Sequence, residues 1–177
     1  MTNKILFVVG PPGAGKTTFI RALIELDSYL TAKPKWTVGE HVVAAGHYTG
    51  GTFDGADTVP YNGVEAALDF WTEKLRAKAK LTIFDGDRFS HDGVKDWATI
   101  AIEAECRVLY FDVSQERLAI NRAARGSTQN AAWMKGRETK ALRFAEKFTD
   151  RIDFDPYSSK HGTEAKLLKS LRSWAGL

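Results

Sequence analysis

At 177 residues the chain has room for one sizeable hydrophobic core and little for two, so a single domain spanning 1–177 is expected. Apolar residues at 44% and charged residues at 27% exclude a disordered or membrane-embedded class. The net charge of +3 does not by itself argue for nucleic acid, but it is uneven: residues 115–177 carry 13 Lys and Arg against 7 Asp and Glu, giving +6, and residues 1–114 carry 12 against 15, giving −3.

Ile5 to Val9 is a continuous apolar run closed by Gly10-Pro11-Pro12-Gly13, the pattern of a strand buried on both faces of a parallel sheet. Met1 to Ile5 leads straight into it without a signal-peptide layout, and no apolar run approaches the roughly 20 residues of a membrane helix. A cytoplasmic protein with no membrane partner is expected. Thr17 to Tyr29 carries a helical stripe of Phe19, Ile20, Leu23, Ile24 and Leu26, closed by Lys33-Pro34-Lys35. Short strand pieces follow at Trp36–Val38 and His41–Ala45, then a Gly, Thr and Asp-rich loop from Gly46 to Gly63, long enough to suggest function.

Val64 to Lys80 has the spacing of an amphipathic helix, Leu81 to Phe84 that of a strand ending in Asp85-Gly86-Asp87, Asp92 to Glu105 another helix, and Arg107 to Val113 another strand. Helices are predicted over Gln115–Arg125 and Met134–Phe148, joined by Gly126 to Asn130, and over Thr163–Trp174. Strands alternating with helices predict an α/β fold, a mostly parallel sheet sandwiched by helices. The lone Cys106 cannot form an internal disulfide, and His41, His47, His91 and His161 lack metal-ligand spacing.

Gly10-Pro11-Pro12-Gly13-Ala14-Gly15-Lys16-Thr17 matches G-x-x-x-x-G-K-[ST] at every fixed position and lies between a predicted strand and helix, as a phosphate-binding P-loop must. Glycines let backbone N–H groups converge on phosphate oxygens, and the following helix N-terminus adds partial positive charge. The motif assigns Lys16 to the β and γ phosphates of ATP, the Thr17 hydroxyl to Mg2+ and Thr18 to the α phosphate. Asp85, at the end of an apolar strand, is the candidate magnesium carboxylate, acting through water. Asp87 is a candidate second metal-shell group or general base.

Phosphoryl transfer needs an acceptor site and cations around the γ phosphate. In the glycine-rich loop Asp57 or Asp54 is the candidate proton acceptor, and Tyr48 and Phe53 are candidates to stack on a ring. The same composition also suits a plain turn. Between Arg117 and Arg143 stand seven basic residues and one acidic residue, Glu138. Arg122, Arg125 and Arg137 are candidates to close over the triphosphate as an arginine-bearing helical lid, against the alternative of a solvated basic face. Trp133 is a candidate core anchor or stacking platform, with the core favoured because aromatic residues mostly pack.

The P-loop with Thr17 and Thr18, the Phe84-Asp85-Gly86 strand end and the arginine-bearing helix after Asp112-Val113-Ser114 resemble the P-loop small kinases that include nucleoside monophosphate kinases. In adenylate-kinase-like proteins the arginine after the Asp-Gly pair falls one residue further on than Arg88, which is here a candidate substrate-binding residue. A narrower resemblance, carried by Gly50-Gly51-Thr52, Asp57-Thr58, Asp85 to Phe89 and Trp133 to Lys140, is to phage kinases that phosphorylate 5-hydroxymethyluracil in DNA on the route to hypermodified thymines. It implies a hydroxymethyl acceptor on a DNA base, DNA along the basic half of the chain, an extruded base near Tyr48 or Phe53, and a host-cytoplasmic location. A kinase of a free small molecule, such as a deoxynucleoside monophosphate, and a nucleotide-dependent ATPase or switch are the alternatives. The missing Asn-Lys-x-Asp run speaks against a GTPase switch.

Overall fold

A computed structural model of the chain describes residues 3–25, 30–33, 35–48, 54–91, 104–158 and 164–177. Strand β1 (Lys4–Val9) lies at the middle of a mostly parallel sheet, between β5 (Leu81–Asp85) and β6 (Glu105–Phe111), both parallel to it. Outside β5 runs β4 (Val42–Ala45), and outside β6 runs β7 (Arg151–Phe154), again parallel. Two antiparallel strands, β3 (Trp36–Gly39) and β2 (Leu30–Lys33), extend the β4 edge, so the described order is β2-β3-β4-β5-β1-β6-β7.

Because side chains alternate along a strand, β1 feeds two cores. Ile5, Phe7 and Val9 face one, where they meet Trp36, Phe84 and Val108 under α2 (Val64–Phe70) and α4 (Ala131–Ala145). Leu6 and Val8 face the other, under α1 (Lys16–Ile24), α3 (Gln115–Ala124) and α5 (Glu164–Ala175). The layers are the sandwich the alternating pattern implied. Buried indole N–H groups are satisfied: Trp36 donates to the Ala67 carbonyl and Trp71 to Thr82 Oγ1, each at 3.0 Å.

Several boundaries depart from the sequence reading. The segment before Pro34 holds strand β2, and the β2–β3 hairpin turns through Lys35 at φ 66°. α1 ends at Ile24, while 26–29, which the helical stripe also claimed, lie outside the described residues. The helix expected over Asp92–Glu105 falls largely outside them too, but Glu105 already opens β6. Strand β7 was not anticipated, because Arg151-Ile152-Asp153-Phe154 has only two apolar residues. α2 continues into a π-helical turn, Trp71–Leu75, in which the Arg76 N–H donates to the Trp71 carbonyl at 2.8 Å. α4 begins at Ala131, three residues before the expected Met134, because Asn130 caps it by accepting from the Trp133 N–H at 2.8 Å.

Candidate functional site

The sheet register builds the site. β1 and β5 pair with Val8 opposite Asp85, and the Gly86 N–H donates to the Val8 carbonyl at 2.8 Å. The glycine loop leaving β1 and the carboxylates leaving β5 therefore emerge side by side at the carboxyl end of the sheet, where open α/β folds hold ligands. Gly10, Pro12, Gly13, Gly15, Lys16, Thr17 and Thr18 line a cleft of about 940 Å³, with Pro11 and Ala14 buried behind them. Gly15 caps α1 at φ 97°, a left-handed conformation that turns the loop into the helix.

Lys16 Nζ donates to the Gly10 and Pro11 carbonyls, each at 3.0 Å, which holds the ammonium at the loop mouth. Desolvation lowers its pKa from the usual lysine value, opposed by the charges of Asp85 and Asp87. Asp85 is buried, and burial raises its pKa above the usual carboxylate value, with the Lys16 charge opposing. Its Oδ2 accepts from Tyr48 Oη at 3.1 Å and from the Ala56 N–H at 3.3 Å.

Those two bonds come from the glycine-rich loop, whose described ends close on each other. The Gly55 N–H donates to the His47 carbonyl at 2.7 Å, and the His47 N–H donates to Thr58 Oγ1 at 2.9 Å. Gly55 has φ 73°, and a Cβ there would lie 2.4 Å from Asp85 Oδ2. Only glycine lets the loop backbone lie against that carboxylate.

Several candidates sit differently from their sequence assignments. Tyr48 is buried and engaged with Asp85, so it has no face to offer a ring; burial pushes its phenol pKa well up. Phe53, Gly50, Gly51 and Thr52 lie outside the described residues. Asp54 is buried and paired with Arg21 of α1, which makes it a tie between loop and helix. Asp57 is exposed on the cleft wall, 3.5 Å from Arg88 Nη2. Asp87 forms an ion pair with Arg137.

Arg122, Arg125 and Arg137 all line the cleft, from α3, its C-terminal cap and α4. Arg88 lines it too, but its Nη1 is held by the Val59 carbonyl at 2.5 Å. Trp133, expected in the core, is instead 40% exposed on the cleft wall, with the Arg137 guanidinium 4.7 Å from its ring centre. Sequence reasoning missed Arg21 and Tyr61, which also line the cleft. A basic residue on the polar face of the helix after the P-loop could have flagged Arg21, but nothing local marks Tyr61. Asn121 of α3 braces the loop from outside, donating to the Gly13 carbonyl and to Tyr157 Oη, each at 2.9 Å.

A P-loop at the head of a parallel sheet, an acidic strand end beside it and arginine-bearing helices across it define the fold of the P-loop kinase group. Residues 5–144 match the AAA domain family, and the chain belongs to that family. Among solved structures it is similar to an unliganded sugar kinase from Janibacter sp. HTCC2649, at 13% identity and TM-score 0.54, over 98% of this chain and 95% of that one. It is also similar to a chain of the Pnkp1/Rnl/Hen1 RNA repair complex, at 18% identity and TM-score 0.53, over 90% of this chain and 50% of that one. No curated protein matches it in sequence. Among the described residues no helix is long and apolar enough to cross a membrane.

Proposed function

We propose that the protein is an ATP-dependent phosphotransferase. The observation that carries this reading is the Val8–Asp85 register, which sets a buried strand-end carboxylate beside the P-loop lysine in one cleft. The donor set suits magnesium: Thr17 and Asp85 offer hard oxygen ligands, and among the described residues the hydrogen bonds to the Asp85 carboxylate, from Tyr48 and Ala56, fall on Oδ2. Thr17 and Asp85 would hold the ion, which would supply positive charge to offset that of the phosphates.

The protein's own part is positioning and charge stabilisation. The P-loop amides and the α1 N-terminus cradle the triphosphate, and Lys16 exchanges two neutral carbonyl partners for β and γ oxygens. Arg122 and Arg125 offset charge developing on the transferred group. Of the carboxylates weighed for the acceptor proton, Asp54 and Asp87 are buried in close arginine pairs, whereas Asp57 is exposed and pairs with Arg88 only at 3.5 Å, which favours Asp57 as the general base.

For the acceptor, the hydroxymethyl group of 5-hydroxymethyluracil in phage DNA is the reading supported by the Asp57-Thr58 and Trp133 to Lys140 motifs, with the basic segment 115–177 for the backbone. The likeness to a sugar kinase over nearly the full length of both chains keeps a free small-molecule acceptor as the second reading. The test is transfer of labelled γ phosphate from ATP with Mg2+ to duplex DNA containing 5-hydroxymethyluracil, unmodified DNA, free nucleotides and hexoses in parallel. Label on the modified DNA alone is the expected result, and Lys16→Ala should abolish it while the protein stays folded. Label on a nucleotide or a hexose would reassign the acceptor, and ADP formed without any labelled acceptor would mean an ATPase.

A further inference from the structure

The cleft that the P-loop lines carries two aromatic rings that the core does not use. Tyr61 is 61% exposed and Trp133 is 40% exposed, whereas Trp36, Trp71, Phe7, Phe84, Phe89 and Phe111 are fully buried. Exposed aromatic area in a cleft is costly in water and marks a surface that meets an apolar face.

These two rings are also braced. The Arg88 guanidinium lies 4.3 Å from the Tyr61 ring centre, and Arg88 is itself fixed by the Val59 carbonyl and Asp57. The Arg137 guanidinium stacks on Trp133, donates to Tyr61 Oη at 2.5 Å and pairs with Asp87. One arginine thus joins both rings and anchors them to the strand end that carries Asp85. Each ring lies against a guanidinium and is exposed on the cleft wall, and little side-chain entropy remains to be lost on binding.

We infer that Tyr61 and Trp133 form a stacking subsite for a planar pyrimidine ring, which places the hydroxyl it carries near Asp57 and the γ phosphate. The role given to the ring rests on the phosphotransferase reading, whereas its binding does not. A pyrimidine has two π faces for this site, and a hexose has none. The same ring could arrive as a free nucleoside or as a base displaced from DNA, and an extruded base would fit because the subsite lies on an open cleft wall.

The test is binding without turnover, measured by calorimetry in the absence of ATP. The probes are 5-hydroxymethyl-2′-deoxyuridine, a single-stranded oligonucleotide and a duplex each containing it, and glucose. The wild type should bind at least one pyrimidine probe and not glucose, and the probe bound most tightly identifies the source of the ring. Trp133→Leu and Tyr61→Leu should each weaken that binding about tenfold, as loss of one stacking partner does. Trp133→Phe and Tyr61→Phe, which keep a ring, should retain most of it. A melting temperature near that of the wild type would show that the leucine variants stay folded. Leucine variants that bind as the wild type does, equal binding of glucose, or no pyrimidine binding at all would overturn the subsite. Tight, Trp133-dependent binding with no label transferred to the ring would instead uphold the subsite and overturn the phosphotransferase reading.

Discussion

At Asp85 the proposed metal-binding role and the requirements of folding conflict. Burial raises its carboxyl pKa, so the folded state holds a proton at pH values where the unfolded chain has already released it. In that window the native state binds more protons, and stability therefore falls as pH rises from about 4 toward the raised value. Asp85→Asn removes this cost. The variant should melt at or above the wild-type temperature near neutral pH, with the difference shrinking toward pH 4, while magnesium-dependent turnover drops on the order of 100-fold. Melting curves across pH and a transfer assay check both halves. A variant less stable at neutral pH than at pH 4, relative to wild type, would contradict the assignment.

Gly55 makes the complementary case. Alanine at φ 73°, with its Cβ 2.4 Å from Asp85 Oδ2, should cost about 1–3 kcal/mol and displace the carboxylate. Denaturant unfolding should show the loss, and turnover should fall with it. In the sequence Gly55 is one glycine among several in a turn-rich loop. Its role was not legible, because the partner it must accommodate is thirty residues away on β5.

At the scale of elements, what could be read followed from periodicity, and what could not followed from its absence. β1 carries the continuous apolar run Ile5–Val9 and β5 the largely apolar Leu81–Phe84, both buried on both faces and plain in the sequence. β7 lies at the edge beyond β6, needs only one good apolar face and shows no such run, so it was missed. The P-loop was legible because its spacing is imposed by phosphate. Trp133 was misplaced because an aromatic in a helix usually points to a core, and only the tertiary placement of α4 puts it in the cleft. That placement depends on the helix entry. Asn130 caps α4 one turn before Met134, and α4 presents Trp133 and Arg137 together. Asn130→Ala should cost about 1 kcal/mol. For a chain of this size that lowers the melting temperature by about 2–4 °C. Because the cap fixes the turn that carries Trp133, acceptor KM should rise severalfold while KM for ATP changes less. Equal shifts in both would mean that the cap acts on the whole domain.

For the whole molecule, charge and architecture point the same way. Residues 115–177, with +6, include α3 and α4, which supply Arg122, Arg125 and Arg137 to the cleft, while residues 1–114, with −3, supply Asp57, Asp85 and Asp87. A polyanion approaching the cleft meets the basic helices, and Lys140 and Arg143 on α4 are exposed beside them. If the acceptor is a base in DNA, several backbone phosphates must be neutralised by these cations, and each releases counterions. The logarithm of affinity should then fall linearly with the logarithm of salt, with a slope of roughly −0.9 per phosphate contacted, or about −3.6 for four. Fluorescence anisotropy of a duplex containing 5-hydroxymethyluracil, titrated at salt concentrations from 50 to 200 mM, measures that slope directly. A steep slope shared by modified and unmodified duplexes is expected, because the phosphates position the DNA while the ring at Tyr61 and Trp133 selects the base. A slope near zero would mean that the basic helices serve the triphosphate alone, and the acceptor would then be a free small molecule.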